Sequence, residues 1–362
     1  MSFRCIATLL VLLATALSGC RSKPPQFAVN SEGREPIGVG QEQVVLDTLG
    51  QLFGTPDEPK SPPDTGLDVE LLAAAAGPVR SDEEGNLAGL YRKHCVLCHG
   101  IAGDGAGPNA QALPTYPRDF RRGVFKFTST LPGAKPTADD LDRTLRRGVH
   151  GTAMPSFDTL GDREIAALVE YVKYLAIRGE VELALVRLVV DLDDPPQDLD
   201  AFCDDELLPV VAMWAKALDQ VFEPPSQPPA DAPQERAAAI ARGREIYLSE
   251  NAKCASCHGP EGRGDGPQNP LYDDWNKPKL GATPAETQQR ARLFRLPIQP
   301  IRPRDFTAEK FRGGDRPIDV YRRVHAGVKG TPMPAHGRTP GNRGALTPEQ
   351  IRDVLEYVRS LQ

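Results

Sequence analysis

The chain has 362 residues, which is enough for two or three domains that each bury a core. Its formal net charge of −6 excludes the strongly basic composition expected of a nucleic-acid-binding protein. The charge is uneven: residues 85–178 carry 13 basic and 9 acidic side chains, residues 236–362 carry 22 and 14, and the remainder carries 8 and 26. We therefore predict two basic units set on acidic segments.

The N-terminus has the features of an export signal. Met1–Arg4 is a short positive start, and the 13-residue apolar run Cys5–Leu17 is too short to span a bilayer. The ending Leu17-Ser18-Gly19-Cys20 resembles the lipobox of bacterial lipoproteins, which implies removal of residues 1–19 and lipidation of Cys20. The alternative is an ordinary or uncleaved signal peptide with an unmodified cysteine.

Residues 20–80 are rich in Pro, Gly and acidic side chains, with one apolar stretch at Leu71–Ala76. This composition predicts a flexible tether, with room for one short helix. A coil of about 60 residues has a root-mean-square span of about 45 Å. We therefore expect the first domain to range over the surface to which Cys20 is anchored.

The motif CVLCH at Cys95–His99 recurs as CASCH at Cys254–His258. A CxxC pair alone also occurs in zinc and thioredoxin-like sites, but an adjoining histidine is typical of covalent c-type haem attachment. The spacing lets two sulfurs reach the two vinyl groups of one porphyrin while the next side chain points at the iron. Each motif predicts one covalent haem c, held by Cys95 and Cys98 or by Cys254 and Cys257, with His99 or His258 as proximal iron ligand.

The two motifs belong to an internal repeat. Its closing segments, from Glu164 and from Gln350, have apolar residues at i, i+3, i+4 and i+7, which predicts an amphipathic helix at the end of each domain. Two further landmarks recur between motif and helix: PRDF at Pro117–Phe120 and Pro303–Phe306, and GVHGTAMP at Gly148–Pro155 beside GVKGTPMP at Gly327–Pro334.

The distal iron ligands are predicted from the four methionines of the chain. Met154 and Met333 lie in the recurring GTxMP element, where the following proline stiffens the loop. Two buried core methionines are the alternative. His150 has Lys329 as its repeat counterpart, so the repeat does not support it as a ligand. His94, His325 and His336 are expected at the surface or near the sites.

The PRDF arginines admit two interpretations. Arg118 and Arg304 are suited to paired hydrogen bonds with haem propionates, because a guanidinium matches carboxylate geometry. The alternative is a turn with an internal Arg–Asp pair and a core phenylalanine.

Residues 179–235 contain two helix-like stretches, Glu180–Leu192 and Glu206–Val221, around an acidic Pro-containing segment. A helical pair packed on one haem domain is the first expectation, and an extended acidic spacer is the alternative. Cys203 has no disulfide partner left and is expected to be a small buried side chain. His258 lies 75 positions before Met333, against 55 from His99 to Met154, so the second unit carries an insertion at about 268–301.

These residues make each unit resemble a class I c-type cytochrome, over 85–178 and 236–362. The resemblance implies an all-α fold with cytochrome c domains at 81–178 and 236–362, each wrapped round one haem. It also implies a di-haem electron-transfer protein without catalytic residues. Together with the lipobox-like ending at Cys20, it predicts a protein that is lipid-anchored on the periplasmic side of a bacterial envelope. Its expected partners are redox proteins of a membrane respiratory chain; the oligomeric state stays open. The alternatives are an electron-entry subunit of a larger oxidoreductase and a di-haem peroxidase-like enzyme.

Overall fold

The computed structural model describes residues 24–30, 37–225, 233–278, 281, 283–286, 288, 296–338, 344 and 346–362. The predicted signal segment 1–19 and Cys20 lie outside these residues. Within them the chain is mostly helical, and its only sheet pairs two antiparallel two-residue strands, β1 (Arg80–Ser81) and β2 (Leu87–Ala88). The predicted all-α fold is confirmed. None of the described helices combines the length and the apolarity needed to cross a membrane.

A long closing helix is the centre of the first domain. It buries its predicted apolar positions Ile165, Leu168 and Leu175. The ring of Tyr91 packs on Tyr171 of this helix at 4.9 Å between centroids, which joins the attachment segment to it. The helices of this domain are α1 (Val39–Phe53), α2 (Val69–Ala75), α3 (Leu90–His94), α4 (Val96–His99), α5 (Ala138–Arg147) and the closing helix α6 (Asp162–Val186).

The structure differs from the flexible tether predicted for residues 20–80, because α1 and α2 are packed into the core of the first domain. Val45, Leu49 and Phe53 on α1 are at most 1 % exposed. The hydroxyl of Tyr174 donates to the carbonyl of Phe53 at 2.6 Å. The overall composition concealed a short amphipathic pattern, since these buried positions recur every four residues along α1.

The stretch 24–30 is docked as well. Phe27 is buried under the guanidinium of Arg178, whose central carbon lies 3.9 Å from the ring centroid. The backbone amide of Asn30 donates to a Glu182 carboxylate at 2.8 Å, and Arg178 donates to the same carboxylate group at 3.0 Å. Phe27 and Asn30 therefore hold the stretch 24–30 against α6.

The predicted connector covers the first domain. α6 continues past residue 178, so the expected domain boundary falls inside one helix. Of the two arrangements considered, the structure has the helices packed on a haem domain. After α6 the chain turns back through α7 (Leu199–Phe202) and α8 (Leu208–Ala215).

A buried polar contact holds these connector helices on the first domain. Trp214 on α8 is 8 % exposed, and its indole N–H donates to Glu180 at 3.1 Å. Lys135 pairs with the same carboxylate. Cys203 is partly buried against the first-domain core, and burial raises the pKa of its thiol.

The second domain is built around the contact between an N-terminal helix, Pro233–Leu248, and its closing helix, Pro348–Ser360. Gly243 lets them approach closely, because a Cβ there would lie 1.9 Å from the carbonyl oxygen of Asp353. The predicted capping signature is present: Thr347 Oγ1 accepts from the amide of Gln350 at 3.3 Å, and Gln350 Oε1 accepts from the amide of Thr347 at 2.8 Å. The helices are α9 (Pro233–Leu248), α10 (Cys254–His258), α11 (Pro317–Ala326) and α12 (Pro348–Ser360).

The described part of the 268–301 insertion packs on the first domain. Trp275 is 6 % exposed and lies beside Ala110, with its ring 6.1 Å from that of Tyr116. Asp273 pairs with Lys126 of the first domain at 2.9 Å. The insertion therefore joins the two domains to each other.

Candidate haem sites

Each CxxCH motif forms one helical turn that brings its sulfurs and imidazole to a single cavity. In the first motif, the amides of Cys98 and His99 donate to the carbonyl of Cys95 at 3.1 and 2.8 Å. These three side chains line one apolar cavity. Cys254, Cys257 and His258 line a second one in the other domain.

The proximal histidines are oriented by the PRDF segments. His99 Nδ1 donates to the carbonyl of Arg118 at 3.1 Å, which leaves Nε2 for iron. His258 Nδ1 makes the same bond to the carbonyl of Arg304 at 3.3 Å. Burial lowers the pKa of both imidazoles to about 4, so both stay neutral, which is the form that binds a metal.

The phenylalanine of each PRDF segment supports the same imidazole. Phe120 stacks on His99 with centroids 4.4 Å apart, and Phe306 stacks on His258 at 4.5 Å. This backbone and ring function was not foreseen from the sequence. The segment lies 19 positions after His99 but 46 after His258, so only its recurrence could have signalled a common function.

The two PRDF arginines differ in their side chains. Arg118 lines the first cavity, and its Nη2 is buried without a hydrogen-bond partner among the described residues. Arg304 lines the second cavity but pairs with Glu309 at 2.9 Å. The alternative internal pair is absent from the first segment, since Asp119 instead binds Arg121 through two bonds of 2.9 Å. Arg118 is thus available to a propionate, whereas Arg304 already has a carboxylate.

The methionine loops have the same bonding in both domains. In the first loop, Thr152 Oγ1 donates to the carbonyl of Val149 at 2.8 Å and accepts from the amide of Met154 at 3.1 Å. The carbonyl of Met154 accepts from the amide of Val149 at 3.1 Å. Gly148 is needed beneath this turn, because its φ is +63° and a Cβ there would lie 2.6 Å from the Pro155 backbone.

The second loop keeps the same arrangement. Thr331 Oγ1 donates to the carbonyl of Val328 at 2.7 Å and accepts from the amide of Met333 at 3.2 Å. Met154 lines the first cavity and Met333 the second, each with its CxxCH histidine. The recurring GTxMP element is therefore a turn built to hold one thioether in place.

The remaining histidines differ in where they lie relative to the two cavities. His94 lines the first cavity and His336 the second, where His336 takes the backbone position that Phe157 has in the first domain. His325 instead stacks on Phe222, with centroids 3.7 Å apart. His150 is exposed.

Each cavity therefore offers the donor set of a c-type haem. It combines two thiols, one neutral imidazole and one thioether with an apolar wall and buried guanidinium groups at its margin. The unpartnered Arg118 nitrogen is the kind of donor that a buried propionate satisfies. The residues present fit two covalent haem c groups.

The two cavities share a wall. Thr115, Lys126, Phe127 and Arg312 line both of them. Lys126 and Phe127 belong to the first domain, and Arg312 belongs to the second. The sequence repeat gave no sign of this juxtaposition, because it lies in the packing of one domain on the other.

Family comparisons match both halves of the chain. Residues 83–172 match the model of cytochrome c oxidase, cbb3-type, subunit III, and residues 240–362 match that of cytochrome c. Among solved structures, a chain of a reducing HAO-like protein complex from Kuenenia stuttgartiensis is similar, with 29 % identity and a TM-score of 0.48. That match covers 78 % of this chain and 97 % of the other. No curated protein matches the chain.

Proposed function

Since the chain is a c-type cytochrome with two tandem cytochrome c domains and two covalent haem c groups, we propose that it is a closed electron relay at a bacterial membrane surface. In this proposal it faces the periplasm and passes single electrons between respiratory partners. The bound haem supplies the ferrous/ferric couple. The observation that carries the proposal is the pairing, in each cavity, of an oriented histidine with a rigid methionine loop.

With haem bound, the chain's own residues would keep both iron positions closed to substrate. The carbonyls of Arg118 and Arg304 hold the imidazoles, and the Thr152 and Thr331 hydroxyls hold the loops that carry the thioethers. A methionine ligand raises the reduction potential relative to a second imidazole. A closed pair of ligands favours a relay over a peroxidase, which needs a free distal position with an acid or base beside it.

The charge distribution supports an acidic docking partner. The haem-bearing regions carry the basic excess, and electrostatic steering of this kind weakens as salt rises. Trp214 and Trp275 are 8 % and 6 % exposed and packed within the chain, so we do not assign them to docking. An electron-entry subunit of a larger complex is the alternative that the same surface supports.

We further propose that lipid at Cys20 holds the first domain close to the membrane. Three residues separate Cys20 from Pro24, the first residue of the stretch 24–30 that is docked on α6. Fully extended, the four residue-to-residue steps from Cys20 to Pro24 span at most about 14 Å. The haem unit is then held beside the bilayer instead of ranging over the 45 Å or so expected of a long coil.

Expression of the full chain in a bacterium that matures c-type haem tests the proposal. We expect two haems per chain in the membrane fraction, and release to the soluble periplasmic fraction in Cys20→Ala. Redox proteins that co-purify with the membrane form identify the partners. One haem per chain contradicts the relay. A membrane fraction unchanged by Cys20→Ala contradicts the lipid anchor alone.

A further inference from the structure

The wall between the two cavities is centred on one pair of equivalent residues. Counting from PRDF, Lys126 in the first domain occupies the position of Arg312 in the second. Both line both cavities. The preceding phenylalanines are also equivalent, since Phe125 packs on Phe120 at 5.9 Å and Phe311 on Phe306 at 5.8 Å. Each domain therefore contributes one cationic side chain to the shared wall, and each cation follows an equivalent phenylalanine.

These cations are held in place by contacts between the domains. Arg312 Nη2 donates to the carbonyl of Gly151, in the methionine loop of the first domain, at 3.2 Å. Phe127 fills the space over Gly313, where a Cβ would lie 2.4 Å from the ring. Lys126 likewise contacts the other domain, since it pairs with Asp273 at 2.9 Å.

Among the described residues, the side chains that line both cavities include two cations, Lys126 and Arg312, and no carboxylate. Lys126, Arg118 and Arg312 all interact electrostatically with Asp273. Asp119 and Asp274 also act on Arg118, and Glu309 acts on Arg312. Burial lowers the pKa of Lys126 to about 8, and the two arginines add to this because they repel its charge. Buried Arg118 Nη2 and Arg312 Nε have no hydrogen-bond partner among the described residues. Two further buried carboxylates would satisfy these donors.

We propose that Lys126 and Arg312 form a cationic bridge between the haems, donating hydrogen bonds to a propionate of each and coupling their reduction potentials. This inference rests on the proposed function in that both cavities hold a haem. The propionates supply the missing carboxylates at the wall. A positive charge close to both irons disfavours the oxidised state of each, so the bridge raises both potentials.

Replacement of Arg312 tests the bridge by redox titration of the two-haem protein. In Arg312→Leu we expect both one-electron waves to move to lower potential. A tenfold change in each redox equilibrium constant corresponds to about 59 mV for one electron. Lys126→Met is an independent variant that should also move both waves to lower potential. Arg312→Lys keeps the positive charge, so both potentials should stay close to those of the parent protein.

Arg302→Leu is the matched control, because Arg302 lines only the second cavity. It removes the same charge from an exposed side chain and should move at most the wave of the second haem. The bridge is wrong if Arg312→Leu and Lys126→Met, with two haems bound, also move one wave or neither. A preparation with one haem per chain contradicts the relay itself, so the two failures are distinguishable.

Discussion

Arg118 of the first domain lies against Gly330 of the second, so that a Cβ on Gly330 would come within 2.9 Å of Arg118 Nη1. The reciprocal contact is present as well. A Cβ on Gly151 of the first domain would lie 2.7 Å from Arg304 Nη2 of the second. The arginine that orients each proximal histidine thus packs on the methionine loop of the other domain. The two domains therefore contact each other reciprocally through these arginines and glycines.

We expect Gly151→Ala to disturb both this contact and the Met154 loop. Gly151 has a φ of +68°, so alanine there costs about 1–2 kcal/mol from backbone strain. The new methyl group must also displace the guanidinium end of Arg304, which adds a smaller cost because that side chain can move. Thermal unfolding followed by circular dichroism measures the loss.

Gly133→Ala is the control for backbone strain alone, because its φ is +82° and nothing lies within 4 Å of a Cβ there. We expect only the smaller loss. Equal losses in the two variants would show that the Arg304 contact contributes nothing to stability.

Replacement of one methionine should open one iron only. In Met154→Ala we expect the first haem to become high-spin while the second stays low-spin, and Met333→Ala should do the reverse. The far-red ferric band of methionine-ligated haem should fall by half in either variant. Absorption and electron paramagnetic resonance spectra measure this. An unchanged band in Met154→Ala would assign the distal position to another residue.

The sequence predicted which residues line the same cavity because the motifs are local: CxxCH and GTxMP are short and recur at matched positions. Their assignment as iron ligands stays a prediction. The closing helices were equally readable from Ile165, Leu168 and Ile351, Val354. The functions of the Arg118 carbonyl and of the shared wall depend on long-range packing, which no spacing encodes. The α1 segment was missed because residues 20–80 were judged by their overall Pro, Gly and acidic content, which concealed the apolar positions of Val39–Phe53.

The docking of α1 is tested by Leu49→Ala. Leu49 is 1 % exposed, so its truncation should lower the free energy of unfolding by about 2–5 kcal/mol. Val44 on the same helix is 37 % exposed, and Val44→Ala should cost well under 1 kcal/mol. Chemical denaturation measures both. A flexible tether would instead make the two substitutions equally mild.

Lys329 predicts a pH dependence of stability. It reaches into the first domain and donates to Thr130 Oγ1 at 2.8 Å and to the carbonyl of Ala134 at 2.7 Å. Burial lowers its pKa from 10.5 to about 8 in the folded state. The unfolded state therefore binds more protons between pH 8 and 10.5, and stability from this group rises with pH across that window.

Denaturation at several pH values, compared with Lys329→Gln, isolates this effect. The stability of the parent relative to the variant should rise by up to about 3 kcal/mol between pH 7 and 10.5. The exposed Lys216 provides the control, since Lys216→Gln should show no such rise relative to the parent. If the stability difference between the parent and Lys329→Gln does not change with pH, Lys329 is not a buried, protonatable group at the domain contact.

The central claim is that both irons are closed, methionine-ligated relay centres. Absorption and paramagnetic resonance spectra of the purified two-haem protein test it most directly, in both redox states and after addition of peroxide. We predict two six-coordinate, low-spin haems and no peroxide turnover. The far-red ferric band should have the intensity expected when both haems carry a methionine ligand. A five-coordinate or high-spin iron at either site, or peroxide turnover, would contradict the claim.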